Sequence, residues 1–262
     1  MAADPIHQFQ IEKLVDFGQV TLPVFGKTDL AFTNSHLAMT IAFVVVVGFM
    51  TLVTSNMKVV PGRLQAVGEG LFGMIDNLAE SIIGHDGRKL FPFVFTLFCF
   101  ILAMNLLGLL LTFTVTSQLA ITATFGVMTI GLVLIIGFAK HGLGFFKLFV
   151  PSGVPIVLLP VIVLIEFVSF LLRPVTLALR LFGNMLGGHV ALKVFAGFVI
   201  ALGALAANGG LGLLGIPGAA LSLSMVVALT ALEWLVAFLQ AFVFAVLACI
   251  YLNDVVNLGH GH

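Results

Sequence analysis

Four polar side chains interrupt an otherwise apolar stretch, LALRLFGNMLGGHVALK, at residues 177–193: Arg180, Asn184, His189 and Lys193. A charge at the centre of a bilayer is costly, so an ionisable residue in an apolar segment predicts a functional site. Arginine stays protonated under physiological conditions, so Arg180 can attract a carboxylate but cannot relay protons by releasing one. Imidazole titrates near neutral pH, and His189 can therefore carry protons.

The residues around Arg180 repeat with a helical period. On an ideal helix a step of seven residues returns almost to the same face, and sevens separate Glu166, Arg173, Arg180 and Gly187. Small and polar residues fill most of the remaining arc: Ser169, Thr176, Gly183, Asn184 and Ala191. The spacing predicts a helix with one narrow polar face.

A second apolar segment carries Glu233 and Gln240, which are also seven residues apart. If the two segments form an antiparallel hairpin, His189 lies at the level of Glu233, and Arg180 lies at the level of Gln240. Glu233 and His189 can pass protons on one side, and Glu166 can serve the other side. This predicts two half-pathways separated by a fixed positive charge. No mobile carboxylate for Arg180 is evident in the chain, which implies a partner protein.

Composition indicates a membrane protein. Of the 262 residues, 61% are hydrophobic and only 8% are charged, whereas soluble domains have about 25% charged residues. The apolar runs are continuous and approach the length of about 20 residues that spans a bilayer, which predicts helices. With zero net charge and no basic block, nucleic-acid binding is not expected. Cys99 and Cys249 lie in apolar runs and predict buried thiols; no metal site, cofactor or nucleotide-binding loop is expected.

The predicted fold is an all-α polytopic membrane protein with about five transmembrane helices and one interfacial amphipathic helix. The first three spans are expected at 35–57, 90–113 and 119–139. The interfacial helix is expected at 63–84, where apolar residues recur at steps of three and four: Leu64, Val67, Leu71, Met74, Leu78 and Ile82.

Two long apolar segments follow at 154–207 and 216–254, joined by the sequence NGGLGLLGIPG, which is typical of a loop. A helix of about 50 residues is about 75 Å long, which is too long to stand upright in a bilayer. Each segment is therefore either a pair of spans or one strongly tilted helix. No turn cluster interrupts them, and Pro174 alone suggests a kink, so two long, tilted, antiparallel helices are favoured.

Charge placement predicts the orientation. Residues 1–34 form a polar, acidic arm without the features of a signal peptide, and residues 35–262 form a single membrane domain. With the N-terminus outside, six lysines and arginines of residues 1–147 lie on the cytoplasmic side and only two lie outside. The expected location is a bacterial inner membrane with the N-terminus in the periplasm.

The segments LLRPVTLALRLFGNMLGGHV and EWLVAFLQAFVFAVLACIYLNDV resemble subunit a of the membrane sector of F-type ATP synthases, and the resemblance extends over nearly the whole chain. It implies that Arg180 is the stator arginine, which faces the proton-carrying carboxylate of each subunit of the rotating c-ring. It places Asn184 and Gln240 beside Arg180, and His189 and Glu233 in a proton inlet on the N-terminal side. Glu166 and Thr176 match positions toward the outlet.

The resemblance also implies the partners: the c-ring, b-type peripheral stalk subunits, the lipid bilayer and, indirectly, the F1 sector. Such a subunit moves protons but is not catalytic by itself. The chain departs from the family near Asn105. Many members have an acidic residue after this asparagine, at the position of Gly108, and a proline near Leu111.

Other interpretations of the same residues remain open. Arg180 could pair with Glu166 or Glu233 inside the chain, and Glu166 could pair with Arg173. His189 could be a packing residue, and Asn105 could cap or bridge helices. An ion-coupled secondary transporter or a proton-channel subunit of a redox complex is the alternative function, although transporters often show internal repeats and none is present. A purely structural scaffold does not explain the polar stripe.

Overall fold

The computed structural model describes residues 12–22, 26–55, 57–84, 87–110, 114–150, 155, 158–207 and 215–258. Several predicted features lie partly outside these residues. They are the start of the N-terminal arm, the end of the predicted span 90–113, the start of segment 154–207, and most of the loop at 208–218.

A β-hairpin precedes the first helix. Strand β1, Lys13–Leu22, pairs in antiparallel fashion with strand β2, Gly26–Thr33, and the register runs from Lys13 opposite Thr33 to Leu22 opposite Gly26. The register shifts near Gly18, which has a φ of 92° and whose N–H donates to a carboxylate oxygen of Asp16 at 3.0 Å. The sequence analysis predicted a polar arm and did not predict these strands.

Six α-helices follow in the described part of the chain: α1 Asn34–Ser55, α2 Arg63–Ile83, α3 Gly87–Leu110, α4 Leu119–His141, α5 Leu159–Ala207 and α6 Gly215–Val256. Five of these, all except α2, are long and apolar enough to cross a membrane. A 3-10 segment, Gly142–Phe149, continues directly from α4. The predicted class, an all-α polytopic membrane protein, is confirmed.

Helix α2 is amphipathic, but its packed face differs from its apolar stripe. Five residues of α2 are buried, and two of these, Gly68 and Ala79, are small; the others are Gln65, Ile75 and Ile83. Leu64 and Val67, in the stripe that the sequence pattern singled out, are 57% and 55% exposed. A Cβ on Gly68 would lie 2.6 Å from a methyl carbon of Val53 in α1, so the glycine permits close packing there. The later residues of the apolar stripe are half-buried: Leu71, Met74, Leu78 and Ile82.

Helices α5 and α6 are continuous over 49 and 42 residues, and Pro174 lies inside α5. At 1.5 Å per residue their lengths are about 75 Å and about 63 Å. The prediction of two long helices, as opposed to four shorter spans, is confirmed. The backbone carbonyl of Leu202, near the end of α5, lies next to Gly215 at the start of α6. Gly188, earlier in α5, lies next to Glu233, later in α6. Earlier residues of α5 thus contact later residues of α6, and these parts of the helices are antiparallel.

The chain divides into two compact units. Unit 1 comprises Met1–Val44, Leu102–Gln118 and Phe182–Leu239, and unit 2 comprises Val45–Ile101, Leu119–Leu181 and Gln240–His262. Unit 2 has an aromatic cluster in which the rings of Phe145 and Phe149 lie 6.2 Å and 5.6 Å from the ring of Phe170. Small side chains of α6 are completely buried in the same unit, among them Ala241, Ala245 and Ala248. The division assigns Arg180 and Gln240 to unit 2 and His189 and Glu233 to unit 1.

Candidate functional site

Arg180 lies on the exposed side of α5. In unit 2, Thr176 and Arg180 are exposed, whereas Leu177 and Leu181 are 1% and 0% exposed. This segregation follows from the helical period, because residues three and four apart share a face. The described side chains therefore leave the Arg180 guanidinium on the outside of the chain.

The same pattern continues in the part of α5 that belongs to unit 1. Gly183, Asn184 and Gly187 are exposed, and Met185 is buried at 4% exposure. Neither glycine would bring an added Cβ within 4 Å of another atom. The two glycines thus line an open surface and are not needed for packing inside the chain.

Arg173, one heptad before Arg180, is the arginine that the chain itself neutralises. Its guanidinium Nη1 lies 2.9 Å from Oδ2 of Asp254, and Nη2 lies 3.8 Å from Oε1 of Glu166. The guanidinium carbon also lies 4.8 Å from the ring centroid of Tyr251 and 5.3 Å from that of Phe170, which is within cation–π range. The alternative ion pair of Glu166 with Arg173 is thus present, with Asp254 as the closer partner.

Arg180 forms no ion pair with any of the residues that the structure describes. Within unit 2, the alternative in which Arg180 pairs with Glu166 is therefore wrong for this structure. The physical reason is position: Arg173 takes Glu166, and Arg180 faces away from the buried side of α5. Gln240 is buried in α6 at 5% exposure.

Two further predicted residues lie near Arg173 in unit 2. The side chain of Glu166 is 41% exposed, so part of it is accessible from outside the described chain. The Thr176 hydroxyl donates to the backbone carbonyl of Arg173 at 2.9 Å. This back-bond occupies the hydroxyl proton of Thr176, although the residue remains exposed.

Glu233 is the buried carboxylic acid of unit 1. The residue is 9% exposed, and neither carboxyl oxygen has a hydrogen-bond partner within the described part of the chain. Its carboxyl group packs directly against Gly188 of α5, where a Cβ would overlap Oε1 and lie 3.1 Å from Cδ. Burial of an unpaired carboxylate is expensive, and an ionisable group at such a position is a candidate functional residue.

His189 and Glu233 are not hydrogen-bonded to each other in the described part of the chain. The Nε2 atom of His189 instead lies 3.0 Å from the hydroxyl oxygen of Thr114. Glu233 packs against Gly188, and the next residue of a helix points about 100° away. Glu233 of α6 thus lies against the residue that precedes His189 in α5, without a hydrogen bond between the two side chains.

Asn105 bridges two helices in unit 1. It is completely buried, and its amide Nδ2 donates to the carbonyl oxygen of Ala237 at 3.1 Å, one turn after Glu233. Its Oδ1 has no partner among the described residues. The helix-bridging interpretation of Asn105 is therefore confirmed.

The sequence analysis missed a group of buried hydroxyl residues near the start of α4. Thr114, Thr116 and Ser117 are 1%, 0% and 4% exposed, and the Ser35 hydroxyl donates to the Gln118 side-chain oxygen at 2.9 Å. The sequence TVTSQ indicated only a turn between spans. The signal that could have identified it was the density of hydroxyl side chains between two strongly apolar segments.

These features define a class: a multi-pass helical membrane protein in which a long helix carries an exposed arginine, without an ion pair among the described residues, and a half-buried histidine, while the next long helix carries a buried acid. A family model described as "ATP synthase A chain" matches residues 36–253. The chain is 52% identical to "ATP synthase subunit a" of Chelativorans sp. (strain BNC1) over 99% of its length and 100% of that protein. The same identity holds for "ATP synthase subunit a" of Rhizobium leguminosarum bv. trifolii (strain WSM2304), with 100% of both chains covered.

A third relative, "ATP synthase subunit a" of Rhodopseudomonas palustris (strain HaA2), is 52% identical over 99% of this chain and 100% of that protein. The chain belongs to the ATP synthase subunit a family.

Proposed function

We propose that this chain is the stationary proton-conducting subunit of the F0 membrane sector of an ATP synthase. Family membership supports the general function, and the exposed, unpaired Arg180 supports the specific role. An uncompensated arginine within a membrane helix is unfavourable unless a partner supplies negative charge. The c-ring of the rotor, which carries a proton-binding carboxylate on each subunit, is the partner that fits this requirement.

The inlet half-channel contains Glu233, His189 and Asn105. A proton passes Glu233 and His189 and neutralises a carboxylate of the c-ring. The neutral carboxyl group then enters the lipid at low cost, because desolvation penalises the charged form far more than the neutral one. Asn105 fixes the α6 turn that follows Glu233, and so positions this acid.

The outlet half-channel lies near Glu166 and Thr176. After nearly a full rotation, the rotor carboxyl group releases its proton there and becomes charged. Arg180, with Asn184 and Gln240 nearby in the sequence pattern, attracts the charged carboxylate and blocks direct passage of protons between the half-channels. Each proton that crosses a potential of 100 mV supplies about 2.3 kcal/mol, so several protons together can drive ATP formation in the soluble sector.

The remaining assignments follow from the same role. The chain is not catalytic by itself, and it acts with the c-ring, b-type peripheral stalk subunits and, indirectly, the F1 sector. We place it in a bacterial inner membrane with the N-terminus in the periplasm, since that orientation puts most lysines and arginines of residues 1–147 on the cytoplasmic side.

The test is ATP-driven proton pumping into inverted membrane vesicles, with assembly of the complex quantified for each variant. Arg180→Ala is expected to abolish pumping while the complex still assembles. Arg63→Ala is the matched control, because Arg63 is an exposed arginine at the start of α2, and it should pump normally. If Arg180→Ala pumps at the wild-type rate, the proposed role of Arg180 is refuted.

A further inference from the structure

The Thr114 hydroxyl contacts two groups at once in unit 1. Its oxygen lies 3.0 Å from Nε2 of His189 and 3.3 Å from the backbone carbonyl oxygen of Gly108. Thr114 is 1% exposed, and the Ser117 hydroxyl donates to the Thr114 carbonyl at 2.6 Å, which holds the local backbone. This hydroxyl is therefore a fixed, buried contact of His189.

The chemistry of the three groups determines where the protons lie. A carbonyl oxygen can only accept, so the hydroxyl proton of Thr114 is donated to Gly108. The hydroxyl oxygen then accepts a hydrogen bond from His189, which requires a proton on Nε2. In a neutral imidazole, the hydrogen bond made by one ring nitrogen decides which nitrogen carries the proton. Nδ1 of His189 is consequently the nitrogen with the free lone pair.

Gly108 makes this arrangement possible. A Cβ built on Gly108 would lie 2.7 Å from the methyl carbon Cγ2 of Thr114, and the residue is buried. A side chain at position 108 would therefore displace Thr114 from His189. Thr114 therefore occupies the space that a side chain at position 108 would need. This is a physical reason for glycine at this position, where the family resemblance leads one to expect an acidic residue.

We propose that Thr114 is a positioning residue, which holds His189 with a proton on Nε2 and leaves Nδ1 to take up and release the transported proton. This inference rests on the proposed function, because it assigns a specific atom within the inlet half-channel. Two other ionisable groups lie close in the fold: Lys193, one turn further along α5, and Glu233 of α6, which packs against the preceding Gly188. Neither is hydrogen-bonded to Nε2, which Thr114 contacts.

The first test is nitrogen-15 NMR of the assembled complex in membranes, with labelled histidine and assignment of His189 by comparison with His189→Gln. The neutral ring is expected to show a protonated Nε2 in the wild type and in Thr114→Ser. In Thr114→Val, which keeps the shape of the side chain but removes the hydroxyl, the Nε2–H resonance should shift because its hydrogen-bond acceptor is lost. A protonated Nδ1 in the wild type, or an unchanged ring in Thr114→Val, would overturn the proposal.

The second test uses the fit between positions 108 and 114 in the pumping assay, at matched assembly. Gly108→Ala and Thr114→Val should each lower the pumping rate by up to about tenfold, the upper scale of one lost hydrogen bond between neutral groups. Thr114→Ser should pump normally, since it retains the hydroxyl. The double variant Gly108→Ala with Thr114→Ser should recover to within about twofold of wild type, because serine lacks the methyl group that the new Cβ would meet.

Failure of the double variant to recover would show that the displaced hydroxyl is not the cause of the defect, and the proposal would be wrong. The proposed function and the role of Thr114 can fail separately. If Arg180→Ala pumps normally, the proposed function fails, whereas the His189 ring spectra test Thr114 without any transport.

Discussion

Replacement of Gly188 by alanine should displace the carboxyl group of Glu233 without unfolding the protein. The new Cβ would overlap Oε1 and lie 3.1 Å from Cδ and 3.2 Å from Cγ of Glu233. Favourable carbon–carbon separations are about 3.5–4.0 Å, so the carboxyl group must move by roughly 0.5–1 Å. The clash involves the end of a flexible side chain, which can rotate away at little cost in stability.

The effect on transport should be much larger than the effect on folding. A displacement of about 1 Å of a reacting group can reduce a rate by about 100-fold, and we expect a decrease of about 10- to 100-fold in ATP-driven proton pumping. The measurement compares initial pumping rates in inverted vesicles that contain equal amounts of assembled complex. Equal assembly separates loss of proton transfer from loss of the protein.

Gly197→Ala provides the matched control. Gly197 lies in the same helix and the same unit, and a Cβ there would have no atom within 4 Å. This variant should pump normally, since alanine is a better helix former than glycine by about 1 kcal/mol. If Gly188→Ala and Gly197→Ala pump at the same rate, then either the Glu233 carboxyl group does not lie against Gly188 or it is not on the proton path.

Two pairs of variants test the packing and the ion pairs of unit 2. Gly126→Ala would place a Cβ 2.6 Å from the backbone carbonyl oxygen of Pro174. Because the backbone cannot rotate away, this variant should destabilise the subunit by about 1–3 kcal/mol and lower the thermal dissociation temperature of the purified complex. Gly131→Ala, whose Cβ meets nothing within 4 Å, should leave that temperature unchanged. Asp254→Asn should lower the same dissociation temperature more than Glu166→Gln. The reason is that Asp254 lies 2.9 Å from Arg173, whereas Glu166 lies at 3.8 Å and is more exposed. The reverse order would refute the conclusion that Asp254 is the main ion-pair partner of Arg173.

The fold class could be predicted because composition and run length depend on the bilayer, not on details of packing. Continuous apolar runs without turn residues identified α5 and α6 as single long helices. The β-hairpin at 13–33 was missed because its pairing depends on register between two short polar segments. The packed face of α2 was missed because close approach requires small residues such as Gly68, which a hydrophobic pattern does not register.

The candidate site was predicted in part. Spacing along one helix was sufficient to place Arg180 on a polar face, because that face is a property of local geometry. The partner of His189 could not be predicted, since Thr114 is 75 residues away in sequence and reaches His189 through a buried turn. Similarly, the spacing did not distinguish Arg180 from Arg173; only the position of Asp254 shows which arginine is neutralised within the chain.

The exposed side of α5 can be tested directly by disulfide cross-linking. A single cysteine is placed at Gly183, which is exposed, or at Leu181, which is 0% exposed. A second cysteine is placed beside the proton-carrying carboxylate of the rotor subunit, in a background where Cys99 and Cys249 are replaced by serine. Under oxidation, Gly183→Cys should cross-link to the rotor subunit and stop ATP-driven pumping until a reductant is added. Leu181→Cys should not cross-link. Cross-linking through position 181 but not through position 183 would contradict the claim that the Arg180 side of α5 faces the rotor.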